Sequence, residues 1–223
     1  MKVLIFDSGP IINFSMNGLV YLLENLKKIF DGKFIITEAV KYEVMDRPIK
    51  NPRFELEALR IKDLLSAGIL ELPSALGIDN NLIKKETTRL MNEANGCART
   101  NDRKINIVSE AEISCLALSS ELTKKGIDNL IAIDERTTRI LTERPENLER
   151  LMSDKLKTQV KVSCDLNIFK DFRFIRSTEL VYVAFKKGIL GIDGSEALEA
   201  ALYATKYKGS SVSFEEIKVL KKL

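Results

Sequence analysis

Two rhythms of apolar and polar positions alternate along the chain. Residues 3–6 (Val-Leu-Ile-Phe) form an apolar run with no polar alternation, closed by Asp7 and a turn through Ser8, Gly9 and Pro10. Such a run suits a strand buried on both faces of a parallel sheet. Residues 11–30 then repeat apolar positions at helical spacing (Leu19, Leu22, Leu23, Leu26, Ile29, Phe30) until Asp31 and Gly32 stop them. A second buried run, 34–36, ends at Thr37. A helix is expected from Thr37 or Glu38, carrying Val40, Tyr42, Glu43 and Val44 and ending before Pro48. Strand, helix, strand, helix predicts an α/β fold with parallel strands.

The pattern continues with interruptions. Residues 47–52 read as a linker with two prolines, 54–67 as a helix stopped by Gly68, and 69–72 as a short strand. Residues 78–95 have a weaker helical stripe. Residues 96–104, with Arg99, Arg103 and Lys104, read as a basic loop. Ser109 with Glu112 three residues on has the capping-box pattern, opening a helix that ends at Gly126. A third buried run, 129–134, ends in the carboxylate of Asp134. Helices are expected over 135–141 and up to about 157, strands at 160–162 and 172–175, and helices at 177–187 and 195–207. A last amphipathic segment starts at Ser213, with Glu216 completing another capping-box pattern. The organisation expected is a domain over 1–150 with a helical insertion at about 47–107. A C-terminal extension, 151–223, packs on it or belongs to it.

Composition narrows the chemistry. The 45% apolar and 30% charged residues place the chain among soluble globular proteins. The formal charge of +3, from 35 basic and 32 acidic residues, neither requires nor excludes a nucleic-acid partner. There is no His and no Trp. The missing His removes Ser-His-Asp and Cys-His mechanisms and imidazole metal ligation. Three scattered cysteines (Cys97, Cys115, Cys164) predict a reduced, cytoplasmic protein without a disulfide framework. No apolar run approaches the ~20 residues a bilayer needs, and the N-terminus does not read as a signal peptide.

Four carboxylates then stand out: Asp7, Glu43, Glu110 and Asp134, with Glu135 adjoining the last. Each ends a buried strand or lies on a helix beside one, and ligands of open parallel sheets bind at the strands' carboxyl ends. Each also has an ordinary reading: turn former, solvated helix residue, dipole partner or N-cap. Clustered in an apolar setting they would repel unless protonated or neutralised by a cation. A hard divalent ion such as Mg²⁺ or Mn²⁺ is the expected partner, with metal-activated water replacing what a His-free chain lacks.

The same residues carry a resemblance. Phe6-Asp7-Ser8-Gly9-Pro10-Ile11-Ile12 is similar to the opening strand and turn of PIN-domain nucleases. Val40-Lys41-Tyr42-Glu43 resembles their second motif. Ser109-Glu110-Ala111-Glu112 resembles the third, in the variant with Gly-Glu in place of a lone Asp. Ile133-Asp134-Glu135-Arg136 followed by Arg139 resembles the fourth. The stretch 177–223 is similar to the tail of that variant. The resemblance implies a three-layer α/β/α fold with a central parallel sheet, plus the helical insertion and C-terminal helical extension. It implies a metal-dependent endoribonuclease with Asp7, Glu43, Glu110 and Asp134 as catalytic, metal-holding residues. Glu135 is the alternative fourth ligand; Asp134 is favoured because it ends the strand. Ser8, Asn13, Arg136 and Arg139 are the expected substrate-side residues, RNA the expected partner, and homodimerisation through the C-terminal helices a further expectation.

Departures from the motifs are Gly9, where a Ser or Thr is usual, and Ser109, where a Gly is usual. They keep a second reading open, a PIN-like module that binds RNA or assembles without cutting. Phe6-Asp7-Ser8-Gly9 also opens glutamate-racemase-type enzymes, but no cysteine here has a racemase context. An aspartyl phosphatase wants a second Asp at position 9, and a sugar kinase wants a second phosphate loop.

Overall fold

The computed structural model describes residues 1–100, 103–163, 166–194 and 196–223. Seven strands occur among them: β1 (Lys2–Phe6), β2 (Gly32–Ile35), β3 (Ala98–Thr100), β4 (Arg103–Lys104), β5 (Asp128–Ala132), β6 (Lys161–Val162) and β7 (Phe174–Ile175). The helices, in order, are α1 (Ser8–Met16), α2 (Tyr21–Ile29), α3 (Glu38–Lys41), α4 (Glu55–Ser66), α5 (Asn80–Cys97) and α6 (Glu110–Lys124). They continue with α7 (Arg136–Glu143), α8 (Leu148–Leu156), α9 (Ser177–Lys186), α10 (Ala197–Tyr207) and α11 (Phe214–Lys222).

A four-stranded parallel sheet, ordered β2-β1-β5-β7 and flanked by helices, forms the centre of a three-layer α/β/α arrangement. Apolar residues fill the carboxyl ends of its two middle strands: Val3, Leu4, Ile5 and Phe6 of β1 are buried, as are Ile131 and Ala132 of β5. Phe6 meets Phe34 of β2 edge-on, ring centres 5.1 Å apart. Each large side chain sequestered this way contributes about 1.5–3 kcal/mol. The C-terminal stretch supplies β7, so residues beyond 150 complete the sheet. No helix among the described residues is long and apolar enough to cross a membrane.

Several local expectations change. The helix expected over 11–30 is two helices, because Gly18 adopts φ +68° and the chain reverses there, Leu19 N–H bonding Phe14 O at 2.7 Å. Gly is the residue that takes this left-handed conformation without strain. Residues 69–72 contribute one bridge, Ile35 to Glu71, rather than a strand. The basic stretch 96–104 is no plain loop: β3 pairs with β4 and β6 in a small antiparallel sheet that holds Arg99, Arg103 and Lys104. The insertion helix α5 lies along α6, burying Leu90 and Ala94. Cys97 is disulfide-bonded, so the expectation of a fully reduced set does not hold, while Cys115 is a free, buried thiol. Cys164, and Ser195 as a helix start, lie outside the described residues.

Candidate functional site

The strand order reverses between β1 and β5: β2 lies beyond one, β7 beyond the other. In open α/β sheets the crevice for a ligand opens at that point, outside the carboxyl ends of the strands. Asp7 and Asp134 follow β1 and β5 there. Asp7 N–H extends the ladder to Ala132 O at 2.9 Å. Gly9 lies between the two carboxylates: a Cβ on it would stand 3.3 Å from Asp7 Oδ2 and 3.4 Å from Asp134 Cβ. The close approach explains Gly at this position.

The two aspartates have opposite surroundings. Asp7 is 2% exposed and caps α1, its Oδ2 accepting from Gly9 N–H at 3.2 Å. Its Oδ1 is buried with no hydrogen-bond partner. Burial pushes the carboxyl up to about 7, helped by the charge of Glu112 and, less, that of Glu43; the N–H groups of Gly9 and Ser8 pull the other way. Asp134, 3% exposed, is saturated. Its Oδ1 accepts from Ser177 N–H at 2.9 Å and from the hydroxyls of Ser177 and Ser210 at 3.0 Å each. Its Oδ2 accepts from Asn13 Nδ2 at 3.3 Å. Burial raises its pKa, and these donors oppose the rise. Asn13 also donates to Thr205 O at 2.8 Å, tying α1 to α10. Asp134 and Asn13 thus bind the C-terminal stretch to the sheet.

The third acidic position differs from the expectation. Ser109 caps α6 and forms a complete capping box with Glu112. Glu110, the first helical residue, is exposed; Glu112, two residues on, folds back toward the cap and the sheet. It is Glu112 whose charge bears most on Asp7, and Glu110 does not figure there. Glu112 accepts from Thr138 Oγ1 at 2.5 Å; burial raises its pKa, opposed by that bond. Glu43 lies in a π-helical turn, Tyr42–Asp46, a local widening frequent at functional sites. Glu43 and Glu110 both line a neighbouring cavity of about 330 Å³. Glu135 caps α7 and is engaged by Thr137 N–H at 3.3 Å, Thr137 Oγ1 at 2.7 Å and Lys155 Nζ at 3.1 Å. Burial works against its charge, but the Thr137 hydroxyl and Lys155 outweigh it and hold the pKa low.

Of the substrate-side residues, Ser8 lies at the first position of α1 and presents its backbone N–H to Asp7. Arg136 and Arg139, on α7, line a separate cavity of about 600 Å³. The residues that sequence reasoning did not single out are Glu112, Thr138, Ser177 and Ser210. Only Glu112 had a local signal, its capping-box spacing from Ser109.

Among the described residues, no three His, Cys, Asp or Glu side chains stand together so as to hold a metal ion. The donor chemistry still fits a hard cation at one place, the unpartnered Oδ1 of Asp7 near the charges of Glu112 and Glu43. Mg²⁺ commonly uses one or two carboxylates and fills its remaining positions with water and phosphate oxygens, so a closed cage of acids is not required. Asp134 is less open, with three donors on Oδ1 and the amide of Asn13 on Oδ2 at 3.3 Å. Comparison with protein-family models, curated proteins and solved structures returned no match.

Proposed function

We propose that the protein is a divalent-metal-dependent ribonuclease acting on RNA phosphodiester bonds at the carboxyl end of β1. One observation carries the reading: a buried aspartate at the topological switch point keeps an oxygen without a partner, and feels the charges of Glu112 and Glu43. An unpaired buried carboxylate oxygen is costly, and a cation removes the cost. Asp7 and Glu112, with Glu43 at the edge, are the residues that would hold Mg²⁺ or Mn²⁺. Such an ion supplies Lewis-acid activation of water and of a phosphoryl oxygen.

The remaining residues orient these groups. The capping box and Thr138 fix the Glu112 carboxylate. Gly9 holds Asp7 through its N–H, and the N–H of Ser8 favours the charged carboxylate. Asp134, tied to Asn13, Ser177 and Ser210, keeps the ends of β1 and β5 in register with the C-terminal stretch. Arg139, at the crevice's flank, offers a guanidinium to phosphate.

The test is cleavage of structured and single-stranded RNAs with Mn²⁺, with and without chelator, by wild type and Asp7→Asn. Cleavage by wild type that disappears with chelator and in the variant is the expected result. Activity unchanged by the substitution overturns the reading. The saturation of Asp134 favours a second reading, in which the site no longer cuts and the fold binds RNA. Tight RNA binding without cleavage by either protein would be its outcome.

A further inference from the structure

Two cavities adjoin along α7. Arg136, Ile140 and Arg144 border both the 600 Å³ space against residues 210–213 and a second of about 530 Å³ against α8. They meet along the Arg136, Ile140 and Arg144 stripe of α7, with residues 210–213 on one flank and α8 on the other, and so form a groove that follows α7. The turn is anchored at the site: Ser210 Oγ bonds Asp134 Oδ1, and Ser211 N–H bonds Asp134 O at 3.2 Å. The groove therefore begins next to Asp134, the neighbour of Asp7 across Gly9.

Its charge is unbalanced. Some of its cations are committed: Arg176 to Glu179 and Glu216, Lys155 to Glu135, and Lys206 to Val212 O. Arg139 reaches Glu143 with one nitrogen at 3.2 Å and Ser211 Oγ with another at 3.5 Å, while its Nε is buried and has no acceptor. Arg136, Arg144 and Arg150 are exposed, and their side chains make no hydrogen bond or ion pair among the described residues. Against these three free guanidinium forks the same lining offers one carboxylate without an ion pair among the described residues, Asp154, so a positive surplus remains. Like charges gathered this way repel. Guanidinium groups match phosphate oxygens in pairs, and a repeating polyanion satisfies several at once.

We propose that this groove is the track of a single-stranded RNA leaving the acidic crevice, its backbone phosphates taken by Arg136, Arg144 and Arg150 with Arg139 at the junction. The assignment of RNA rests on the function proposed above; the phosphate chemistry rests on the groove itself. The groove selects no sequence, because phosphate contacts fix position and carry no base information.

Binding of a fluorescently labelled oligoribonucleotide, followed by anisotropy in chelator across a salt series, tests this apart from cleavage. Each phosphate contact on a single strand contributes about 0.7 to the slope of log K against log salt. The triple variant Arg136→Ala, Arg144→Ala, Arg150→Ala is expected to lower that slope by about 2 and to weaken binding at least about tenfold near physiological salt. Lys62→Ala, on α4 and equally exposed, is expected to leave both unchanged. Single-stranded DNA of the same length is expected to lose the same slope in the triple variant. All three arginines are exposed, so the variant retains its fold, checked by its melting temperature. A slope unaltered in the triple variant, or no oligonucleotide binding by wild type, overturns the proposal. Arginine-dependent binding without any metal-dependent cleavage leaves the groove standing and removes the nuclease. Asp7-dependent cleavage with an unaltered slope does the reverse.

Discussion

The ends of β1 and β5 lie side by side in the sheet, each closed by a buried aspartate, and they are built to opposite ends. Asp134 has a donor on each oxygen and three on one of them. Asp7 has a single N–H on one oxygen and nothing on the other. Buried polar groups in folded proteins are almost always satisfied, so the exception needs a reason. A carboxylate with its bonds complete serves the fold. One left incomplete, with other negative charges acting on it, is the place where the proposed function puts a cation. Burial and residue type are the same at the two places; the partners differ.

The sharpest way to break the contrast is at the satisfied end. Asp134→Ala would orphan Ser177 N–H, two hydroxyls and Asn13 Nδ2, all buried. The expected loss is about 3 kcal/mol or more, read from urea unfolding. A loss below about 1 kcal/mol would mean that Asp134 is no structural hub and could again be a ligand.

Glu112→Gln against Glu110→Gln asks which acid belongs with Asp7. The first is expected to lower metal-dependent cleavage by about 100-fold, equivalent to about 2.7 kcal/mol of barrier, and the second by less than about threefold. Equal effects would return Glu110 to the site. The pair also shows where reading from sequence alone succeeds. The apolar runs at 3–6 and 130–133 are legible as buried strands because no polar residue interrupts them, and with them the places of Asp7 and Asp134. Choosing Glu110 over Glu112 is another matter. Two residues on a helix face different ways, and the cap at Ser109 decides which one turns inward. The saturation of Asp134 had no local sign, since Ser177 and Ser210 are 43 and 76 residues away. The break at Gly18 and the pairing of β3 with β4 were hidden by helical and polar patterns that continue across them.

At the unsatisfied end the sign of the effect reverses. The Asp7 carboxyl titrates near 7 in the folded protein and near 3.8 when unfolded. Between those values the folded state holds the proton more tightly. Stability of the metal-free protein therefore falls as pH rises from about 4 to about 7, then levels. The full shift corresponds to at most about 4 kcal/mol. Asp7→Asn cannot ionise, so it is expected to be more stable than wild type by about 2 kcal/mol at pH 8 and to lose that advantage below about pH 4. Denaturant unfolding of both proteins in chelator at several pH values gives the two curves. Parallel curves would show that Asp7 carries no such strain.

The smallest expected effect concerns Gly9, the residue between the two ends. It lies in α1 with no positive φ, so alanine there gains about 1 kcal/mol in helix propensity. Against this, the new Cβ at 3.3 Å from Asp7 Oδ2 and 3.4 Å from Asp134 Cβ must push a carboxylate by a few tenths of an ångström. Asp134 is pinned by its donors, so Asp7, with its single weak bond, is the one that yields. Gly9→Ala should therefore leave unfolding free energy within about 1 kcal/mol of wild type and lower cleavage by about tenfold, because the displaced group is the unpartnered one. Stability lost without loss of activity would mean that Asp134, not Asp7, had moved. The assignment of a fixed end and a waiting end would then have to be exchanged.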